Sequence, residues 1–308
     1  MPKPIAILIA DLHLSLVAPA CRADKDWLAT QASYLKQVLA LARPGLQNTW
    51  VPVLAAGDIF DRWNPPPELI NFALEHLPDE MICVPGQHDL PNHRMDLMHR
   101  SGYGVLKKAG KIIDVSNHGT HVPKGCKLVV YGFGWEEEIL MPQRAEGALN
   151  IALIHRYVWT IGNSYPGAPE SLHLSTAMKD LKGYDVAVFG DNHIPFTKEL
   201  KNGCYVVNCG TLIRRKSDER IHEPSVWILH DDGTVKRKRL DTSIDRFQEV
   251  QGERKETPFN MKDFIDRLEG LGEHGMDFRE AVEQHLKSED IDPKTKEIIL
   301  TALGDNKA

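Results

Sequence analysis

The fold of this chain follows from one stretch of sequence, Leu54-Ala55-Ala56-Gly57-Asp58-Ile59-Phe60-Asp61-Arg62. The apolar run 51–56 is long enough for one buried strand and begins with a β-branched residue. Gly57 and Asp58 follow directly, where that strand should end. Ligand sites in open α/β sheets form outside the carboxyl ends of the strands. The stretch therefore predicts a buried strand that delivers a carboxylate to a functional site.

Four further apolar runs, 4–10, 81–84, 151–154 and 186–189, also end at acidic, histidine or amide residues. Because the carboxyl ends of such strands meet at one edge of a sheet, we expect one shared polar site. Carboxylates with imidazoles suit divalent manganese, iron or zinc, and about seven such ligands fit two cations that share a carboxylate. The polar residues at these strand ends are Asp11, His13, Asp58, Gln87, His88, His155, Asp191 and His193.

The composition is that of an ordinary globular protein, with 42% apolar and 26% charged residues among 308. No run approaches the ~18 apolar residues that span a bilayer, and we expect no signal peptide at the start. Five cysteines without a CxxC pair indicate free thiols in a reducing cytoplasm. The net charge of −6 argues against a strongly basic nucleic-acid binder. Nucleic acid stays open as a partner, because bound cations and local Lys/Arg clusters reverse the charge locally.

Strands alternate with helices in the first part of the chain and dominate later. That order predicts an α/β fold of two mixed, layered β-sheets flanked by helices. Apolar spacing predicts helices over 24–42, 68–77 and 174–181. Near residue 246 the composition shifts to Glu, Lys and Gln, with three helix-capping signals. We therefore expect a main domain over 1–245 and a small helical appendage over 246–308.

The polar strand ends resemble the motif series of the calcineurin-like metallophosphoesterases, which reads D-x-H, G-D-x-x-D, G-N-H-D/E, a lone H and G-H-x-H. The resemblance covers about residues 5–215 and implies the layered metallophosphoesterase sandwich and a metal-dependent phosphoric ester hydrolase. The motifs stand in the family's order as Asp11-Leu12-His13, Gly57-Asp58-Ile59-Phe60-Asp61, Gly86-Gln87-His88-Asp89, His155 and Gly190-Asp191-Asn192-His193.

Within that family, the flanking residues are most similar to the SbcD-type DNA-repair nuclease subunit. Asp58-Ile59-Phe60-Asp61-Arg62 followed by Pro65-Pro66 resembles one of its segments, and His193-Ile194-Pro195 resembles another.

The resemblance also implies roles for single residues around two divalent cations, with manganese expected and magnesium, iron or zinc as alternatives. Asp11, His13 and His193 would hold the first cation, Gln87, His155 and Asp191 the second, and Asp58 would bridge them. A metal-bridging hydroxide would attack phosphorus. His88, oriented by Asp89 or Asp61, would protonate the leaving oxygen.

Two positions depart from the family pattern. Gln87 stands where the family has Asn, and Asp191 stands where it has the first His of the last motif. Both residues keep an oxygen donor. The hard carboxylate of Asp191 favours manganese or magnesium over zinc at the second position.

The candidate substrate-binding residues are Arg62, His93, Arg214 and Arg215. Arg62 either contacts a substrate phosphate or pairs with a carboxylate. His93 lies close behind His88-Asp89. The run 214–216 either grips a nucleic-acid backbone or is an ordinary solvated loop.

Three functions fit the sequence. The first is a DNA exonuclease or endonuclease of SbcD type, which implies DNA and an SbcC-type ATPase as partners. The second is a small-molecule or cyclic-nucleotide phosphodiesterase or phosphatase. The third is a catalytically degenerate scaffold that binds proteins. We expect a cytoplasmic protein with no membrane partner, and a homodimer is a further option.

Overall fold

The computed structural model describes residues 2–43, 50–165, 168–177 and 179–248. Apart from its first three residues, the predicted appendage over 246–308 lies outside this part of the chain and stays a prediction. The described helices are α1 (Trp27–Ala42), α2 (Pro67–His76), α3 (Gly102–Lys108) and α4 (Leu174–Ala177). The described strands are β1 (Pro4–Ile9), β2 (Val53–Ala56), β3 (Met81–Val84), β4 (Ile112–Asp114), β5 (Thr120–His121), β6 (Leu128–Phe133), β7 (Leu149–His155), β8 (Val186–Gly190), β9 (Phe196–Glu199), β10 (Tyr205–Asn208), β11 (Ser225–His230) and β12 (Val235–Arg239).

These strands form two sheets of six strands each. The order in the first sheet is β12-β11-β1-β2-β3-β4. Strands β1 to β4 pair in parallel, and β11 pairs antiparallel with both of its neighbours, β1 and β12. The order in the second sheet is β5-β6-β7-β8-β10-β9, with a parallel centre and antiparallel edge strands. The prediction of two mixed sheets is confirmed.

Alternate residues of β1 serve two different cores, because successive side chains of a strand point to opposite faces. Leu8 packs between the sheets with Leu54 of β2 and Leu153 of β7. Ile7 and Ile9 point the other way, into a core built with the helices on the outer face of the first sheet. Three apolar layers therefore hold the sandwich, the third lying on the outer face of the second sheet.

Helix α1 begins later than its apolar spacing predicts. The side chain of Asp26 accepts a hydrogen bond from the backbone N–H of Ala29 and caps the helix, so residues 24–26 lie outside it. Helix α4 ends at Ala177, short of the predicted residue 181. Among the described residues, no helix has the length and apolarity that crossing a bilayer requires.

The parallel strands of both sheets end at the same edge of the sandwich. The residues that follow β1, β2, β3 and β8 and the last residue of β7 contact one another there. The fold thus places the polar strand ends from five distant parts of the chain around one centre.

Candidate metal centre

The predicted ligands lie together at this edge. Single ligand atoms of Asp11, His13 and His193 lie within 4.8 Å of one another, and so do atoms of Asp11, Asp58 and His155. Asp11, Asp58 and His155 are buried. Buried carboxylates and imidazoles at this spacing form a donor set for cations.

The backbones of the loops after β1 and β2 continue to hydrogen-bond to each other beyond the strands, and these bonds fix the positions of Asp11, His13 and Asp58. The N–H of Asp11 donates to Gly57 O at 3.1 Å, and the N–H of His13 donates to Asp58 O at 2.9 Å. Asp11, His13 and Asp58 all adopt left-handed backbone conformations, with φ of 52°, 46° and 53°. Such conformations are costly for residues with a Cβ and cluster at functional sites. Gly57 is required, because a Cβ there would lie 2.1 Å from Nδ1 of His155.

Asp58 lies at the centre of this group of side chains. We call the group the ligand cluster, and its members are Asp11, His13, Asp58, Gln87, His155, Asp191 and His193. Its Oδ2 is 3.7 Å from Nε2 of His13 and 3.5 Å from Nε2 of His155. This buried oxygen has no hydrogen-bond partner among the described residues, while Oδ1 accepts from the N–H of His88 at 3.0 Å. Burial alone would raise the pKa of Asp58, but the imidazoles of His155 and His13 lower it well below its usual range. An ionised, half-satisfied carboxylate between two imidazoles fits a bridging ligand.

On one side of Asp58, two imidazoles meet nitrogen to nitrogen. Nε2 of His13 lies 3.2 Å from Nε2 of His193. Nδ1 of His193 donates to Oε1 of Glu219 at 2.9 Å, which leaves its Nε2 as the free nitrogen. Two nitrogen lone pairs at this distance repel unless a cation or a proton lies between them. Asp11 completes this side, and its carboxylate accepts from the N–H of Asp191 at 3.0 Å.

On the other side, His155 is fixed by the backbone. Its Nδ1 donates to Ala56 O at 2.6 Å, and its Nε2 lies 2.6 Å from Oε1 of Gln87. The amide of Gln87 donates in turn to Oδ1 of Asp191 at 2.7 Å. The two departures from the family pattern therefore contact each other inside the cluster. Burial lowers the pKa of His155, but the carboxylates around it, Asp58 first, raise it to about 10.

The donor set fits divalent cations. It combines carboxylates, imidazoles and an amide oxygen, with an orphaned carboxylate oxygen and two facing imidazole nitrogens at its centre. The identity of the metal does not follow from these contacts, because the same donors accept manganese, iron and zinc.

His88 stands at the exposed rim of the cluster. Its ring is 4.8 Å from that of His13, and its Nδ1 donates to the backbone carbonyl of Asp61 at 2.8 Å. The predicted orienting role of Asp89 needs correction. The Asp89 carboxylate accepts from the backbone N–H groups of Ile59, Phe60 and Gly86, so it holds the loops and not the imidazole.

The two candidate arginines of the run 214–216 face different ways. Nη2 of Arg215 pairs with Oδ1 of Asp61 at 2.8 Å beside the cluster. Arg214 pairs instead with Asp245 at 2.7 Å and does not line the site. Its predicted contact with substrate is therefore not supported by its position.

Arg62 and His93 are exposed and lie outside the wall of the cavity next to the cluster. The ring of His93 lies 6.2 Å from that of Trp135.

A cavity of about 850 Å³ opens beside the cluster. His13, Asp58, Gln87, His88, Asp191 and His193 all reach it. Sequence reasoning missed Glu219 and also the part of the wall formed by Tyr157, Tyr165 and Arg237, since these residues stand in no motif. The rings of Tyr157 and Tyr165 lie 5.2 Å apart.

The comparisons with known proteins agree with this geometry at the level of the family. Residues 6–195 match the family of calcineurin-like phosphoesterases. No curated protein matches the chain. One solved structure, described as a novel archaeal phosphodiesterase, aligns with 76% of this chain and 99% of its own, at 13% identity and a TM-score of 0.39. The family match spans more than half of the chain and includes every strand-end ligand described above, and the protein is therefore a calcineurin-like phosphoesterase, a metal-dependent hydrolase of phosphoric esters.

Proposed function

We propose that this enzyme is a two-metal phosphodiesterase that hydrolyses DNA, as SbcD-type nucleases do. The observation that carries the proposal is the position of Arg215. Its guanidinium pairs with the Asp61 carboxylate at 2.8 Å and lines the same cavity as the ligand residues, so it can meet a phosphodiester bound in that cavity. Its Nε is buried and has no partner among the described residues, so this guanidinium keeps an unsatisfied donor.

In this proposal, Asp11, His13 and His193 would hold one cation, Gln87, His155 and Asp191 would hold the other, and Asp58 would serve both. Bound cations would neutralise phosphate charge and activate the attacking water. The residues of the chain orient these donors: Ala56 O fixes His155 and Glu219 fixes His193.

His88 is proposed as the general acid. It is exposed to the cavity, and the Asp61 carbonyl accepts its Nδ1–H, so Nε2 is the nitrogen that delivers a proton to the leaving oxygen. The backbone N–H of His88 is bound to Asp58, which fixes the ring relative to the cluster. General acids of this kind contribute about 10²–10⁴-fold in rate.

The cationic part of the cavity wall supports a polyanionic substrate. Arg215, Lys216 and Arg237 line the wall together with the acidic residues Asp61, Glu219 and Glu223, and the chain as a whole carries a net charge of −6. Contacts with several successive phosphates would use the three cationic side chains, and a single phosphate would not require all of them. The resemblance to SbcD-type nucleases also implies that an SbcC-type ATPase docks on the C-terminal part of the chain. Residues 249–308 lie outside the described part, so this partner stays a prediction.

We propose manganese or magnesium as the native metal, because Asp191 places a hard carboxylate oxygen next to Gln87. Metal analysis of the purified protein and rates measured with each metal test this choice. Stoichiometric zinc with full activity contradicts it.

A small phosphodiester is the second candidate substrate, because a cavity of about 850 Å³ is also the size of a small-ligand site. The deciding experiment supplies manganese and compares single-stranded DNA, duplex DNA and bis-p-nitrophenyl phosphate side by side. Preferred hydrolysis of DNA, with an affinity that falls as salt rises, supports the proposal. Equal or better turnover of the small diester, independent of salt, contradicts it.

A further inference from the structure

Glu219 joins the ligand cluster to the cationic loop of the cavity wall. It lies in the short turn Asp218–Ile221 and is buried, with 7% of its surface exposed. One carboxylate oxygen, Oε1, accepts from Nδ1 of His193 at 2.9 Å. The other, Oε2, accepts from the backbone N–H groups of Arg215 at 2.5 Å and Lys216 at 2.9 Å. Every contact of this carboxylate therefore runs either to a proposed ligand or to the loop beside it.

The contact with His193 decides which ring nitrogen is free. A carboxylate only accepts, so Nδ1 of His193 must carry a hydrogen. In the neutral ring the lone pair is then on Nε2, which faces Nε2 of His13 at 3.2 Å. Carboxylates that hold the second nitrogen of a ligating histidine fix its tautomer and orientation.

The contacts with the loop position Arg215. Its backbone N–H is held by Glu219, and its guanidinium reaches across to Asp61, whose own carbonyl accepts from His88. A continuous path of hydrogen bonds and ion pairs therefore runs from His193 to His88 through Glu219, Arg215 and Asp61.

We propose that Glu219 is a positioning residue for both halves of the site. It keeps His193 in the tautomer whose Nε2 can bind a cation, and it holds the backbone from which Arg215 reaches the phosphate. The second half of this statement rests on the proposed function, and the first half does not. The alternative hypothesis is that Glu219 has a purely structural role and only caps the loop 215–216. The experiment must separate this role from the positioning of His193.

Glu219→Gln separates the two hypotheses because an amide keeps one function of the carboxylate and loses the other. The oxygen of Gln still accepts from the N–H groups of Arg215 and Lys216, so the loop keeps its anchor. The NH₂ group then faces Nδ1 of His193 and donates to it, which moves the imidazole hydrogen to Nε2. We expect manganese affinity, measured by electron paramagnetic resonance of the free ion, to fall about 10–100-fold. Nitrogen NMR of His193 in the metal-free protein should report the changed tautomer.

Asp218→Asn is the matched control. It removes the same charge one residue earlier, and Asp218 is exposed. We expect this variant to bind manganese as the wild type does. Equal losses in the two variants, or an unchanged affinity and tautomer in Glu219→Gln, overturn the proposal in favour of charge alone or a structural cap.

If Glu219→Gln does not fold, Glu219→Asp answers the same question. It keeps the charge but is one methylene shorter, so it cannot reach His193 and the loop together. Reduced manganese affinity in a folded Glu219→Asp protein supports positioning, and wild-type affinity contradicts it. Neither readout uses a substrate, so failure to cleave DNA would remove the proposed function without touching the role of Glu219 at His193.

Discussion

Two clusters of buried charge stand in this molecule, and they differ in how the charges are paired. In the first, the ion-pair cluster, Arg22 binds Asp24 at 2.7 Å and Asp245 at 3.1 Å, and Arg214 binds Asp245 at 2.7 Å. The ring of Phe247 packs against both guanidinium groups. Each charge there has an opposite charge in contact.

The ligand cluster is built differently. Its carboxylates face imidazoles and not arginines, and two imidazole nitrogens point at each other. A buried carboxylate oxygen without a donor among the described residues occurs in both clusters, at Oδ2 of Asp58 and at Oδ1 of Asp245. The comparison teaches that pairing, and not burial, separates a structural cluster from one that a ligand completes. The predictions below use that difference, from the largest expected effect to the smallest.

Asp58→Asn should remove metal binding and bring phosphodiesterase activity below detection, because it takes away the bridging carboxylate. The free energy of unfolding of the metal-free protein should also fall, because the ionised Asp58, whose pKa the imidazoles of His155 and His13 lower, stabilises the folded state. Urea unfolding with metal analysis of the same sample measures both. A metal content equal to that of the wild type would show that Asp58 holds no cation.

His88→Ala should lower kcat about 10²–10⁴-fold, the usual contribution of a general acid. The metal content should not change, because His88 lies at the rim and binds the cluster through its backbone N–H. Steady-state kinetics on a phosphodiester together with metal analysis check this. Undiminished turnover would remove the acid role.

Asp245→Asn, in the ion-pair cluster, should lower stability and leave metal binding intact. Breaking a buried ion pair by removing one partner costs about 3–5 kcal/mol, because the remaining charges stay buried. Manganese affinity of the folded protein should be unaffected. Urea unfolding tests the loss of stability, and a metal titration tests the unchanged affinity. A loss of metal affinity without a loss of stability would contradict both predictions.

Arg215→Ala should raise KM for DNA and reduce the salt dependence of binding by about one phosphate contact. Its neighbour provides the contrast. Arg214→Ala should lower stability and leave the salt dependence as it is, because Arg214 belongs to the ion-pair cluster. Binding titrations over a range of salt concentrations measure the slopes. Equal slopes in the wild type and Arg215→Ala would exclude a phosphate contact by Arg215.

Manganese affinity should rise with pH between about 7 and 10. Burial lowers the pKa of His155, yet Asp58 and the other carboxylates raise it to about 10, so a proton occupies this imidazole below that pH. Cation binding must displace the proton, which weakens apparent affinity by up to about tenfold per pH unit. An affinity that is flat over this range would show that His155 carries no proton for the cation to displace.

The sequence predicted the centre of the fold better than its margins. The buried strands that carry Asp11, Asp58 and His155 are apolar runs, and their order along the chain predicted both the family and the side chains that the structure brings together. Strands β4, β5 and β9 escaped prediction because they are short, and β9 reads Phe-Thr-Lys-Glu, with little apolar signal. Edge strands form because an adjacent strand is available to pair with them, and the local sequence does not indicate whether such a strand is present.

The polar residues around the ligands were harder to assign. Arg214 and Arg215 are adjacent, and only the three-dimensional path of the loop sends one to Asp245 and the other to Asp61. Glu219 lies 26 residues after its partner His193, in a charged stretch where a single Glu carries no signal. Asp89 belongs to a motif, but its three backbone contacts became visible only in the folded loops.

The left-handed conformations of Asp11, His13 and Asp58 have a consequence for protein engineering. A redesign guided by stability alone would treat these three positions as defects and would replace them first with glycine. Each such change would relieve the backbone and at the same time remove an oxygen or nitrogen that the reaction needs. A search for more stable variants of this enzyme should therefore leave the edge of the sandwich that carries Asp11, His13 and Asp58 unchanged. Substitutions should be placed at the opposite edge.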